Sequence, residues 1–538
     1  MKKINFLKYI FIIFVIILIG YAIYYIRGQE EQQEEISEVT VEEKPNYTTI
    51  NTLRLAAVNI DTINPILSHN QNVQEFSKLI YEPLLTITEN FEIEKSLAKE
   101  WISLSDTAYV IVLKENAKFH NGDEITANDV KYTVEKIKEL GDNSIFYPNV
   151  ENIIDVEVLS IYTVKISIDK KIPFFEYNLT FPIMSSKYFE DEAIEVNEKA
   201  NNAPGTGKYY INNISPTEIE LKKNEDWWGI SEGKELSLQT IIIKLYSSMG
   251  EVYNAFKLGN LDLITTQSLN YEDYIGTIGY NTIEYVGREH QYLALNCNSR
   301  LLGNLELRQA INFAIDKSNI VATVFENKYY VADFPLNRSN FLYQIDKVSS
   351  SFNANKSREV LEDSGWEFKS GVWTKTENYV PLRAKLNFVV NEQDENRLRV
   401  AEIIKKQLED FGININLIKA NSNQYNKYLE NKNYDMILTG KLCGISPDIS
   451  SYVLNDNLSQ YNQEEMEQLI DEIANITDDQ EKLIKDYKKI IKLVEDEKPF
   501  ISLCFNRNTI IYNPNLKGKI NPNFYNIFYN IDEWIIQY

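Results

Sequence analysis

The chain has 538 residues, 44% apolar and 25% charged, a globular composition that excludes a wholly disordered or fibrous protein and is long enough for two or three lobes. Its 55 basic and 78 acidic side chains give a formal charge of −23, which argues against nucleic-acid binding, because neutralising phosphates takes a basic face. Cys297, Cys443 and Cys504 lie far apart, and His69, His120 and His290 show no i,i+4 spacing, so neither a disulfide framework nor a metal site is predicted.

Tyr9 to Ile26 contains no charged side chain. About eighteen residues at ~1.5 Å each span about 27 Å, close to the hydrocarbon thickness of a bilayer. Lys2, Lys3 and Lys8 precede the stretch and place that end inside the cell. Its end, Tyr21 to Tyr25, lacks the small-x-small site of a cleaved signal peptide. Residues 1–28 are therefore expected to be a cytoplasmic stub and single-pass transmembrane anchor. Residues 29–49 read as an acidic, solvated spacer, with the body on the extracellular face.

The body opens with a predicted strand at Leu53 to Val58 and a helix over Val73 to Tyr81. Tyr109 to Leu113 is a strand, and Asn121-Gly122 a tight turn. Thr126 with Asp129 three residues on predicts a capped helix carrying Val130, Val134 and Ile137 on one face and stopping at Gly141. Further on, Lys385 to Val390, a helix Arg397 to Phe411 ended by Gly412, and Ile413 to Ile418 form a strand–helix–strand run, the pattern of a parallel crossover in an α/β lobe. Tyr434 to Leu438 is another strand. A helix with Leu483, Tyr487, Ile490 and Val494 on its apolar face is closed by Pro499 and followed by strand Phe500 to Phe505.

Catalytic motifs fare poorly. Pro204-Gly-Thr-Gly-Lys208 fails as a phosphate loop, since the required first glycine falls at Asn202 and Tyr209 follows the lysine. Neither a GxSxG elbow nor an HExxH pair occurs. Trp227-Trp228 reads either as core packing or as a sugar-stacking platform. A carboxylate pair for glycoside chemistry stays open, because the many acidic residues single none out.

Several of these motifs, in order, resemble the extracytoplasmic solute-binding proteins of peptide and nickel ABC importers. They are Leu97-Ala98 with Trp101, Tyr109 to Lys114, and Phe119-His-Asn-Gly122 leading to Thr126-Ala-Asn-Asp-Val130. Pro204 to Tyr209, Asn224 to Trp228, Ala255 to Asp262, Asn296, Leu307 to Ile311 and Ala314 to Asp316 complete the set. The resemblance runs from about Leu53 to the C terminus.

It implies an α/β, type II periplasmic-binding-protein-like fold of two hinged lobes with an extra domain on the N-terminal lobe. Lobe I would hold residues 50–90, 205–290 and 500–538, the insert 91–204, and lobe II 291–499. A short peptide or other small solute would be enclosed by hinge closure and delivered to ABC permease and ATPase subunits. No catalysis and no cofactor are implied, and the body would be a monomer. Peptide-binding relatives hold the ligand main chain on two segments, which match Asn59, Ile60 and Asp61, and Gly440, Lys441, Leu442 and Cys443 here. An aromatic after the capped helix corresponds to Phe146 or Tyr147. Relatives place a tryptophan and then an ammonium-binding aspartate where Gly440 and Cys443 stand, which leaves Asp448 or Asp61 to supply the carboxylate. A peptide-sensing receptor, a metal-chelate or sugar binder and, further off, a surface hydrolase remain alternatives.

Overall fold

Strand Thr52–Val58 alternates along its length, with Leu53, Leu55 and Ala57 buried, as a strand covered on one face must. It lies parallel to Thr240–Tyr246, beyond which Glu218–Lys223 and Tyr209–Ile214 run antiparallel. The computed structural model describes residues 49–190, 194–276, 279–344, 352–454, 456–474 and 479–537, and the elements discussed belong to the unit Ile50–Ile536. The predicted membrane anchor lies outside the described residues, as does all but the last residue of the spacer. No helix among the described residues is long and apolar enough to cross a membrane.

The helix expected over Val73 to Tyr81 is shorter. It runs Gln71–Phe76, capped by the Asn70 side chain, and tightens into a 3-10 turn at Ser77–Leu79. The reason is tertiary. The Ile80 carbonyl accepts from Gly207 N–H at 2.8 Å, while Gly205 N–H donates to His120 Nδ1 at 3.2 Å and His120 N–H to the Gly205 carbonyl at 2.8 Å. A Cβ at Gly205 would overlap the Ile80 carbonyl oxygen. The Pro204–Lys208 segment is therefore a seam between backbones, and glycine is needed for their close approach. Trp227 and Trp228 are buried beside it, which decides for packing over a stacking platform.

A second antiparallel sheet is ordered Ala98–Ser105, Ala108–Leu113, Thr163–Ile168, Ile153–Ser160. Helix Ala127–Leu140 packs on it through Val130, Val134 and Ile137. The Asp129 carboxylate accepts from Thr126 N–H and hydroxyl at 2.7 and 2.9 Å, and its other oxygen accepts from Ser186. The expected cap thus also ties the helix to the start of the short helix Ser186–Phe189.

The largest sheet has seven strands. Six run in the order Leu263–Thr266, Phe500–Tyr512, Asn281–Leu295, Met436–Leu442, Lys385–Asn391, Asn414–Ala420, and Tyr330–Val331 pairs off this path. Lys385–Asn391 is parallel to both Asn414–Ala420 and Met436–Leu442, and the crossover helix Glu395–Phe411 ends at Gly412 with φ +99°. The predicted short strand at Phe500 extends to Tyr512 because nearly every residue of it is buried, so periodicity carries no boundary signal. It pairs antiparallel with Asn281–Leu295 over most of their length. One hydrophobic core links Leu53 through Leu263 with Ile510 to Ile536, and another lies within Leu293 to Cys504. Arg308 donates to the Glu497 and Leu302 carbonyls at 2.9 and 2.8 Å, joining two helices, and Asp316 caps helix Lys317–Phe325. Both matched residues are structural.

Candidate functional site

Two cavities open beside the paired long strands Asn281–Leu295 and Phe500–Tyr512. The wider, about 610 Å³, takes Tyr285 and Asn508, which face each other across the ladder. The narrower, about 220 Å³, takes Phe505. Asn508 and Phe505 are three residues apart on one strand, about 10 Å. Between them the register shifts from Val286 to His290. A Cβ on Gly287 would overlap the Asn506 side chain, whose Oδ1 accepts from Glu289 N–H at 2.8 Å. Such a bulge re-aims its side chains. Here it projects Arg288, whose Nε donates to the Cys443 carbonyl at 2.9 Å and whose guanidinium stands 5.8 Å from the Phe524 ring centre.

The wide cavity is walled by the start of helix Gln71–Phe76, by helix Met249–Lys257 and by Thr265 to Ser268. Amide and hydroxyl side chains dominate it. Tyr253 bonds Thr266 at 2.7 Å and stacks on Tyr274 with ring centres 5.3 Å apart. Glu75 is the single charged side chain on the lining. Burial pushes its carboxyl up to about 7, against the pull of Gln71, Lys78, Asn72 and Thr265.

In the narrow cavity the Lys441 ammonium bonds the Ser451 hydroxyl and lies 4.9 Å from the Tyr452 ring centre; burial lowers its pKa. The Cys443 thiol is 3.6 Å from the Tyr452 hydroxyl, which in turn is 3.0 Å from His290 Nδ1. Burial raises the thiol and holds the fully buried His290 down to about 3, so the imidazole is neutral. A protonated thiol beside a neutral, enclosed histidine is not an activated nucleophile. Asp448 Oδ1 accepts from both the N–H and the hydroxyl of Ser450.

Of the residues expected from sequence, Lys441, Cys443 and Asp448 thus share one cavity. Gly440 pairs with Gln291, and the space a side chain would need there is filled by the Arg397 guanidinium, which is held by Glu289 at 3.2 Å and Asp394 at 3.3 Å. Leu442 is 67% exposed and lines neither cavity. Asn59, at φ +48°, follows the cavity-lining Val58; its carbonyl accepts from Asn70 at 3.0 Å. Ile60, Phe146 and Tyr147 pack against the first core. The Asp61 carboxylate accepts from Thr62 N–H, the Ser68 hydroxyl and His69 N–H. Burial would raise its pKa, and these bonds outweigh burial and lower it.

Sequence reasoning missed Glu75, Tyr253, Tyr274, Arg288 and Arg397. In the linear chain each resembles an ordinary helix or strand residue. Only the Gly287 bulge, read as a glycine inside a strand, hinted at Arg288. Among the described residues no group of three or more His, Cys, Asp or Glu side chains is placed to hold a metal ion.

A family model described as "Bacterial extracellular solute-binding proteins, family 5 Middle" matches residues 92–463. The oligopeptide-binding protein AppA of Bacillus subtilis is 23% identical over 500 residues, covering 88% of this chain and 89% of that protein. Heme-binding protein A of Haemophilus influenzae is 23% identical over 498 residues, covering 85% and 87%. The nickel-binding periplasmic protein of Escherichia coli is 24% identical over 374 residues, covering 67% and 69%. Among solved structures, the unliganded open form of the murein tripeptide-binding protein MppA aligns with a TM-score of 0.79 at 16% identity, covering 92% of this chain and 99% of that chain.

Proposed function

Since the chain belongs to the family 5 bacterial extracellular solute-binding proteins, which bind solutes and catalyse no reaction, we propose that it is the membrane-anchored substrate-binding component of an ABC importer and captures short peptides between two hinged lobes. The wide cavity carries this reading. At about 610 Å³ it falls within the range of small-ligand pockets, and its wall is mainly neutral hydrogen-bonding groups and tyrosine rings with one carboxylate. Such a surface suits a ligand whose main chain supplies donors and acceptors while water fills the remaining space. The relatives named for oligopeptides and murein tripeptide favour the same class.

The proposed lobes are residues 50–90, 205–290 and 500–538 against 291–499, with 91–204 inserted. Support comes from the two cores and from the long strands, whose ends enter different cores: Leu293 and Ile501 in one, Ile510 in the other. The inserted region shares the first core, and its Phe91, Phe174 and Tyr177 also pack with Tyr292, Phe334 and Tyr487 of the second proposed lobe in a further core. Lys441, Cys443 and Asp448 are proposed to line the ligand chamber. Asn59–Asp61 follow Val58 of the wide cavity, and Gly440 and Leu442 flank Lys441 of the narrow one, which is the support for including both segments. Phe146 and Tyr147 are proposed to reach the ligand once the lobes close. Closure converts an open surface into an enclosed one. The Tyr9–Ile26 segment is proposed to hold the body at the outer face of the cell membrane, beside the permease whose ATPase subunits lie on the inner face.

Native mass spectrometry of the full-length chain tests the reading. Copurified peptides, or saturable uptake of a tripeptide library, support it. A bound haem or metal chelate in place of peptide refutes it.

A further inference from the structure

We infer that Glu75 is the carboxylate that receives the ammonium group of the captured peptide, inside the wide cavity. The inference rests on the peptide reading above. It starts from a deficit: the second predicted segment carries Cys443 in the place expected to hold an aspartate, and the two aspartates expected to replace it are already engaged. Asp61 closes a turn with three donors, and Asp448 accepts twice from Ser450. A peptide ammonium taken out of water needs a partner, because an unpaired buried charge costs far more than a lost neutral hydrogen bond.

Glu75 meets that need geometrically. It is the one charged group on the cavity wall, and its neighbours Gln71, Asn72 and Thr265 are neutral. Gln71 Nε2 donates to it at 3.2 Å. Among the described residues it has no ion-pair partner. Lys78, one turn along the chain, donates instead to the Gln74 carbonyl at 2.6 Å and stands 4.9 Å from the Tyr525 ring centre. The stacked Tyr253 and Tyr274 line the same cavity and offer faces that attract an alkylammonium. The groups bearing on the charge of Glu75 are Lys78 on its own segment, Tyr285 from the long strand and, through Lys78, Arg288. A carboxyl pushed up by burial is returned to its ionised form by an arriving cation, which makes it a receptor for one.

The test uses the full-length chain and two tripeptide libraries free of Lys and Arg, one with free amines and one N-acetylated, read by native mass spectrometry. Wild type is expected to prefer the free amines. E75Q should lose about 10- to 100-fold for free amines and nothing for the acetylated library. An unchanged E75Q overturns the inference, as does a D448N variant that takes the loss instead. Loss of both libraries by E75Q makes Glu75 a structural residue and overturns it too. Wild type binding neither library refutes the peptide reading itself, and the inference falls with it.

Discussion

Replacing Glu82 by leucine tests whether the adjacent tryptophans are held as core. Glu82 is 8% exposed, Trp227 3% and Trp228 6%. The two carboxylate oxygens are divided between the rings: Oε1 accepts from Trp227 Nε1 at 3.0 Å and Oε2 from Trp228 Nε1 at 2.8 Å. Burial raises the pKa of Glu82, and the two indole bonds and the nearby Lys208 work against that rise. Leucine fills similar space but accepts nothing, so two indole N–H groups are stranded. Each stranded group costs about 1–3 kcal/mol, giving about 2–6 kcal/mol for E82L. Relief from burying the carboxylate pulls the value toward the lower end. E82Q keeps one acceptor oxygen and turns a donor toward the other indole, so about 2 kcal/mol is expected. Urea unfolding followed by tryptophan fluorescence reads both, through the midpoint at constant slope. An E82L protein within about 0.5 kcal/mol of wild type, or one more stable than E82Q by more than that, would refute the reasoning.

Three further outcomes are expected. Gly205→Ala forces a Cβ into the Ile80 carbonyl and should cost about 3 kcal/mol in thermal unfolding; an unchanged melting temperature would mean that the backbone seam yields freely. Arg54→Met removes donors at 2.9 and 2.6 Å from Asp262, which is 1% exposed, and should cost about 3–5 kcal/mol. The double variant R54M/D262L should recover part of that loss in the same denaturation assay, because it leaves no buried charge. The affinity for free-amine peptides should rise about 3- to 5-fold between pH 6 and 8, as Glu75, held at about 7, ionises while the peptide amine, at about 8, begins to lose its proton. Lys78, lowered to about 8 by burial, loses charge over the upper end of that range and so does not oppose the rise. A flat profile by calorimetry would count against Glu75 as the anion.

Local chemistry made parts of this protein readable in one dimension. The alternation in Leu53 to Val58, the Thr126–Asp129 cap and the Gly412 stop are dictated by residues a few positions apart, and they appear where expected. Ordered motifs over several hundred residues placed the family and its α/β fold. What the sequence could not supply were contacts between segments far apart in the chain. The helix at Gln71 ends early because Gly207, more than a hundred residues away, takes the Ile80 carbonyl. Gly440 has no side chain because Arg397 fills its space, and Glu75 reads as a solvated helix residue until the fold sets it on a cavity wall with Tyr253, Tyr274 and Tyr285. Burial and desolvation belong to the assembled molecule, and they decide which of 78 acidic side chains has its carboxyl pushed up on a cavity wall.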